Sequence, residues 1–248
     1  LEIETFKLLK DSNYDTFIDI GAYFGYFSIF AKIKTKIKNI IAYEASPYNF
    51  NQLKKFLKLN NTNFEIFNKA VGDKKGTVKF YKPVYKEADK FPTHGTIINP
   101  NLDSTSLYSG KSHETFDVEM IPLKDILEKK VNGSTLVKID IEGYEEKSLR
   151  SVQEYLKNSN NIDFLIEILI NDKNKESLFN FIKSQGFDSY LLTNAGLIHE
   201  EKPLTLPKPY GDSSKKYLRT LWKDHFFTKK DKNKINQMNK EVFKYNIN

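Results

Sequence analysis

An α/β fold built on a doubly wound, mostly parallel sheet is predicted by three features of the sequence. Short apolar runs rich in β-branched and aromatic residues recur along the chain, stretches with apolar residues three and four apart separate them, and this alternation is the pattern of strands buried under helices on both faces. Repeated strand–helix order of this kind builds right-handed parallel crossovers.

The strands expected in order are "TFIDI" (16–20), "NIIAYEA" (39–45), "FEIFNKAV" (64–71), "TLVKIDI" (135–141) and "DFLIEIL" (163–169). Between them, "GYFSIFAKIKTK" (25–36), "PYNFNQLKKFLKLNN" (47–61), "EEKSLRSVQEYLKNS" (145–159) and "KESLFNFIKSQG" (175–186) read as helices. A late pair, "DSYLLTNAGLI" (188–198) and "KYLRTLWKDHFF" (216–227), adds the last strands, with room for an antiparallel one. Residues 76–122 break the alternation: after the short strand "GTVKFYK" (76–82), the 83–118 segment carries Pro, Gly, Ser and Thr without a sustained period. Such a stretch reads as a lid or substrate loop, or as a plain insertion. The lysine- and asparagine-rich 229–248 segment reads as a basic C-terminal tail or solvated helix.

At 248 residues with 39% hydrophobic content, the chain can bury the core of one domain, taken as 1–248. Its formal net charge of +7 suits an anionic partner, but lysine and asparagine abound everywhere, so a composition bias explains the charge equally well. The absence of cysteine excludes disulfides, thiolate zinc sites and cysteine nucleophiles, and fits a cytoplasmic setting. No apolar run is long enough to span a membrane, and "LEIETFKLLK" lacks the charged-then-apolar order of a signal peptide. The start at Leu1 rather than methionine raises the expectation of a further domain upstream.

The turn after the first strand, "YDTFIDIGAYFGYFSIF" (14–30), is where a doubly wound sheet binds a cofactor. Asp19 ends the strand, and Gly21 and Gly25 bracket the turn, with Ala22 between them and Tyr23 where a dinucleotide fingerprint has its middle glycine. Side chains and an acid crowd a place where a pyrophosphate would need bare backbone. A cationic ligand without phosphate fits better, and S-adenosylmethionine is one. Glu44, followed by Ala45, stands at the end of the second strand, where an acid accepts from ribose hydroxyls. Lys69, Ala70 and Val71 after the third strand fall beside the adenine.

Together, "FIDIGAYFGYFSI", "AYEASPYNFNQLKKFLKLNN", "NKAVGDKKGTVKFY" and "VKIDIEGYEEKSLR" resemble the FkbM family of S-adenosylmethionine-dependent methyltransferases from about residue 14 to residue 225. The last motif is the most specific. The resemblance implies a seven-stranded Rossmann-like class I methyltransferase fold and O-methylation of a saccharide hydroxyl, on a glycan or nucleotide-sugar acceptor. It implies cofactor positions at Asp19, Gly21, Ala22, Gly25, Glu44, Ala70 and Asp140. Lys138, Glu142 and Glu145 fall on the acceptor side or shape the turn, and Ser104 and Ser106 in a serine-rich segment face the pocket. Tyr23 and Phe24 stand where smaller or polar residues are common, and Tyr144 where histidine is frequent.

A sugar hydroxyl is hardly acidic, so its attack needs a general base or a metal. Asp140 and Glu142 are two apart and share a face if the strand is regular, with Glu167 near them from the next strand. The three read as a base, a cradle for the sulfonium and amino group, a divalent cation site, or ion-pair partners of Lys138 or Arg150. His94 and His113, in the expected loop, are further candidates for the base. Two rival readings remain. A base-methylating nucleic-acid enzyme would carry a D/N-P-P-Y/F turn where this chain reads D-I-E-G-Y, which disfavours nucleic acid. The other is a catalytically silent cofactor-binding domain of a glycan-assembly protein.

Overall fold

The structure, a computed structural model, describes residues 3–11, 13–84, 95–102, 112–168, 175–204 and 223–243. Its elements run α1 (Ile3–Asp11), β1 (Thr16–Ile20), α2 (Tyr26–Lys34), β2 (Asn39–Tyr43), α3 (Pro47–Leu59), β3 (Glu65–Phe67), β4 (Ala70–Gly72), β5 (Gly76–Pro83), β6 (His113–Pro122), α4 (Leu123–Lys130), β7 (Thr135–Ile139), α5 (Glu145–Arg150), α6 (Gln153–Asn158), β8 (Ile162–Glu167), α7 (Lys175–Ser184), β9 (Asp188–Thr193), β10 (Gly196–Glu200), β11 (Asp224–Thr228) and α8 (Lys232–Val242).

The large sheet has strand order β10-β9-β11-β8-β7-β1-β2-β3. From β3 to β8 all pairs are parallel, whereas β11 is antiparallel to both β8 and β9. The order reverses between β1 and β7, so the carboxyl ends of these two strands flank the switch point where α/β sheets bind ligands. Eight strands replace the expected seven because β10 folds back on β9 as a hairpin, with Gly196 paired to Thr193.

Every residue of β1, β7 and β8 is buried, and their side chains alternate between two apolar layers. Ile18, Val137 and Phe164 pack under α4 to α7, while Phe17, Leu136 and Leu165 pack under α1, α2 and α8. Ala42 lies beneath α2 and α3.

Four expectations change. The third strand splits, because the Asn68 amide donates to the carbonyls of Glu44 (2.8 Å) and Ala45 (3.0 Å) and so ends the β3 ladder. The chain then crosses to a second sheet, β4-β6-β5. Residues 113–118, expected inside the irregular loop, begin β6 and pair with β5, since Val118 and Met120 at period two bury against Phe80. The 145–159 helix breaks into α5 and α6 around Ser151, whose hydroxyl donates to the Ser148 carbonyl at 2.6 Å. Helices α1 and α4 are additional to the expected set. At the C-terminus, α8 occupies the middle of 229–248, capped by Asp231 accepting from the Lys234 amide at 2.9 Å.

Candidate functional site

A cavity of about 410 Å³ opens across the carboxyl ends of β2, β1, β7 and β8. Its centre is the Gly21 turn. Gly21 has φ +82°, and a Cβ there would lie 1.8 Å from the Asp140 carbonyl oxygen, so the close approach of the β1 and β7 ends demands glycine. The Gly21 and Ala22 amides both donate to the Tyr43 carbonyl, at 2.9 and 3.0 Å, which fixes the turn on β2. Gly25, φ +78°, starts α2 where a Cβ would meet Leu53 at 2.1 Å.

One half of the cavity is organised by Glu44. Its carboxylate is 6% exposed and accepts from the Tyr23 amide (2.7 Å), the Ser46 amide (2.8 Å) and the Asn49 side chain (3.4 Å). Burial outweighs these bonds and lifts its pKa from the ordinary 4.5 to about 7. Each carboxylate oxygen has two acceptor positions, so the side chain retains capacity for a ligand hydroxyl. Tyr23 sits at φ +55°, a left-handed conformation costly for a side-chain residue and held here by its bond to Glu44. Ala45, Lys69, Ala70 and Val71 line the same half. Lys69 is ion-paired with Glu119 at 2.8 Å.

The other half is built from paired charges. Lys138, 2% exposed, places Nζ 2.9 Å from Asp140 Oδ2 and 5.3 Å from the Phe27 ring centroid. Glu167, 8% exposed at the end of β8, is ion-paired with Lys223 just before β11. All four line the cavity with Glu142, Phe6 and Phe27. Asp140 and Glu142 do not share a strand face as expected, because β7 ends at Ile139 and Glu142 turns through φ +55°. The Glu142 carbonyl accepts from Thr96 Oγ1 at 3.0 Å. Arg150 pairs with Glu146 at 2.6 Å, away from this cluster.

Several expected site residues stand behind the walls. Asp19, 1% exposed, accepts from Ser28 Oγ at 2.6 Å and so ties β1 to α2. Glu145 does not touch the cavity. Its two oxygens accept from the Ile141 and Gly143 amides, both at 2.9 Å, which shapes the turn after β7, and burial raises its pKa to about 8. His113 begins β6 and sets its ring edge-on to Tyr81 at 6.3 Å, outside the cavity. Tyr144 donates to Asp73 Oδ1 at 3.0 Å. His94, Ser104 and Ser106 lie outside the described residues. Among the described residues no three His, Asp or Glu side chains converge to hold a metal ion, and no helix is long and apolar enough to cross a membrane.

Sequence reasoning missed Phe6, Tyr26, Phe27 and Lys223. Tyr26 and Phe27 directly follow Gly25, so the glycine turn itself signals their place. Phe6 and Lys223 carry no motif.

The profile of the methyltransferase FkbM domain matches residues 19–189. The chain belongs to this family, and its fold is the Rossmann-like methyltransferase fold. It therefore carries an S-adenosylmethionine-dependent methyltransferase domain. No curated protein sequence matches the chain. Among solved structures, FkbM methyltransferase from Methylobacillus flagellatus KT is 16% identical with a TM-score of 0.49, over 86% of this chain and 43% of that one. The chain thus spans less than half the length of that relative. Precorrin-6y C5,15-methyltransferase from Geobacter metallireducens GS-15 is 11% identical with a TM-score of 0.47, over 91% and 85% of the two chains. A precorrin 8w decarboxylase from Methanobacterium thermoautotrophicum is 9% identical with a TM-score of 0.46, over 92% and 88%.

Proposed function

We propose that this protein transfers a methyl group from S-adenosylmethionine to a hydroxyl of a saccharide. One observation carries the reading: a single cavity joins a buried acid suited to a ribose diol, Glu44, to a floor of paired charges walled by aromatic rings. The residues fit the cofactor. Glu44 takes the ribose hydroxyls, Ala70 and Val71 flank the adenine, and the Gly21–Tyr23 turn with Asp140 faces the methionine part. When bound, S-adenosylmethionine supplies a methyl group on a sulfonium centre whose departure leaves a neutral thioether.

This chain's residues align the acceptor and manage its proton. Lys138 fixes the Asp140 carboxylate at 2.9 Å. Asp140 accepts the proton of the attacking hydroxyl as the oxygen–methyl bond forms. Glu142 orients the acceptor from the next turn. Phe6 and Phe27 present apolar faces to a ring whose edges meet the charged floor, an arrangement suited to a sugar.

The test is transfer of labelled methyl from S-adenosylmethionine to a panel of oligosaccharides, nucleotide sugars, tRNA and DNA. Alkali-stable label on a sugar oxygen is expected. Label on a base nitrogen overturns the reading.

A further inference from the structure

Two residues that line the cavity, Phe6 and Lys223, lie outside the family match, which covers residues 19–189. Phe6 comes from α1 and Lys223 from the residue before β11, and each lines the wall. We propose that Phe6 and the Lys223–Glu167 pair form the acceptor subsite and select an uncharged, hydroxylated sugar ring. This deepens the saccharide reading and rests on it.

The strand order places the subsite. Glu44 follows β2 and Glu167 ends β8, with β1 and β7 between the two strands. Three inter-strand spacings separate the two acids by roughly 14 Å. With the ribose on Glu44 and the methionine part over Gly21, the region beyond Asp140 remains for the acceptor. There the Phe6 ring is fixed by Phe27 and Phe30, each with its centroid 4.8 Å away. A rigid half-buried ring of this kind offers one apolar face to the C–H face of a sugar.

Charge decides which sugar. Glu167 is 8% exposed, and a buried acid needs a partner, which Lys223 supplies. The neighbouring Lys138–Asp140 pair also cancels. Glu142 adds a third carboxylate to these two pairs, so the floor has no surplus positive charge to offer a carboxylate or a phosphate. It does present carboxylate acceptors beside ammonium donors, the pattern that a run of adjacent hydroxyls satisfies.

The experiment measures transfer of labelled methyl to methyl glycosides of neutral hexoses, 6-deoxyhexoses and uronic acids, and to hexose phosphates. Wild type, Phe6→Ala, Phe6→Leu and the charge-neutral double variant Glu167→Gln/Lys223→Met are compared, with S-adenosylhomocysteine affinity read by calorimetry. Wild type should label a neutral glycoside in preference to its uronide or phosphate. Phe6→Ala and the double variant should each raise the acceptor KM by about tenfold, the scale of one aromatic or paired polar contact, with cofactor affinity unmoved. Phe6→Leu keeps α1 packed and should still raise KM, which separates lost stacking from lost folding. If neutral glycosides are labelled and KM stays constant in all three variants, the subsite is wrong and the saccharide reading stands. Preference for uronides or phosphates overturns the charge argument. If wild type labels no glycoside, both fall.

Discussion

The two halves of the cavity are held together by different physics. Around Glu44 the contacts are short in sequence and made largely by backbone amides: Tyr23 donates from 21 residues away, Ser46 from two and Asn49 from five. Around Asp140 and Glu167 the contacts are side chain to side chain, and Lys223 meets Glu167 across 56 residues of chain. A half built on local backbone geometry is fixed by its turn. A half built on side-chain pairs, from Lys138–Asp140 two residues apart to Lys223–Glu167 across the sheet, can be rewritten by side-chain substitution.

The largest expected effect breaks the junction of the halves. Gly21→Ala puts a methyl group 1.8 Å from the Asp140 carbonyl at a φ of +82°. It should cost about 3 kcal/mol or more and lower the thermal midpoint by many degrees, or prevent folding, as backbone strain plus a backbone clash does. A melting temperature near wild type would show that β1 and β7 tolerate separation.

A pH effect follows from Glu44 in one half and from Glu145 in the turn behind the other. Burial raises Glu44 from 4.5 to about 7 and Glu145 from 4.5 to about 8, so between pH 4.5 and those values the folded state binds more protons than the unfolded state. Stability is then fully present below pH 4.5 and is lost as pH rises toward 7 and 8, by on the order of 1 kcal/mol per pH unit for each group. Denaturant titrations of the ligand-free protein from pH 5 to 8 should show this fall, and Glu145→Gln should flatten it above pH 7. A flat profile in wild type would mean that neither carboxylate is desolvated.

The acceptor half is tested by Asp140→Asn, which keeps the shape and removes the base. Turnover should drop about 100-fold or more with the fold retained. Undiminished turnover would remove Asp140 from the proton transfer.

The same contrast explains what was legible in the sequence. The glycine turn, Glu44 and the "KIDIEG" run announce themselves because each is a local pattern whose geometry follows from a few neighbouring residues. The five parallel strands were readable for a similar reason, since the burial of β1, β7 and β8 on both faces makes their runs rich in β-branched and aromatic residues. Asn68 ending β3, and β6 arising inside an apparent loop, depended on partners far along the chain. Asp19 and Glu145 were recognisable as special, yet what they hold is Ser28 and the Ile141–Gly143 backbone rather than the cavity wall. Phe6 and Lys223 look like any helix phenylalanine and any lysine until the sheet brings them together.

Calorimetry with S-adenosylhomocysteine tests the division most directly. Wild type should bind one equivalent. Glu44→Ala should weaken binding by about 1.5–3 kcal/mol, the scale of hydrogen bonds to a charged group, while the Glu167→Gln/Lys223→Met double variant should bind as wild type does. Affinity unchanged in a folded Glu44→Ala protein, or an equal loss in the double variant, would contradict the assignment of the two halves.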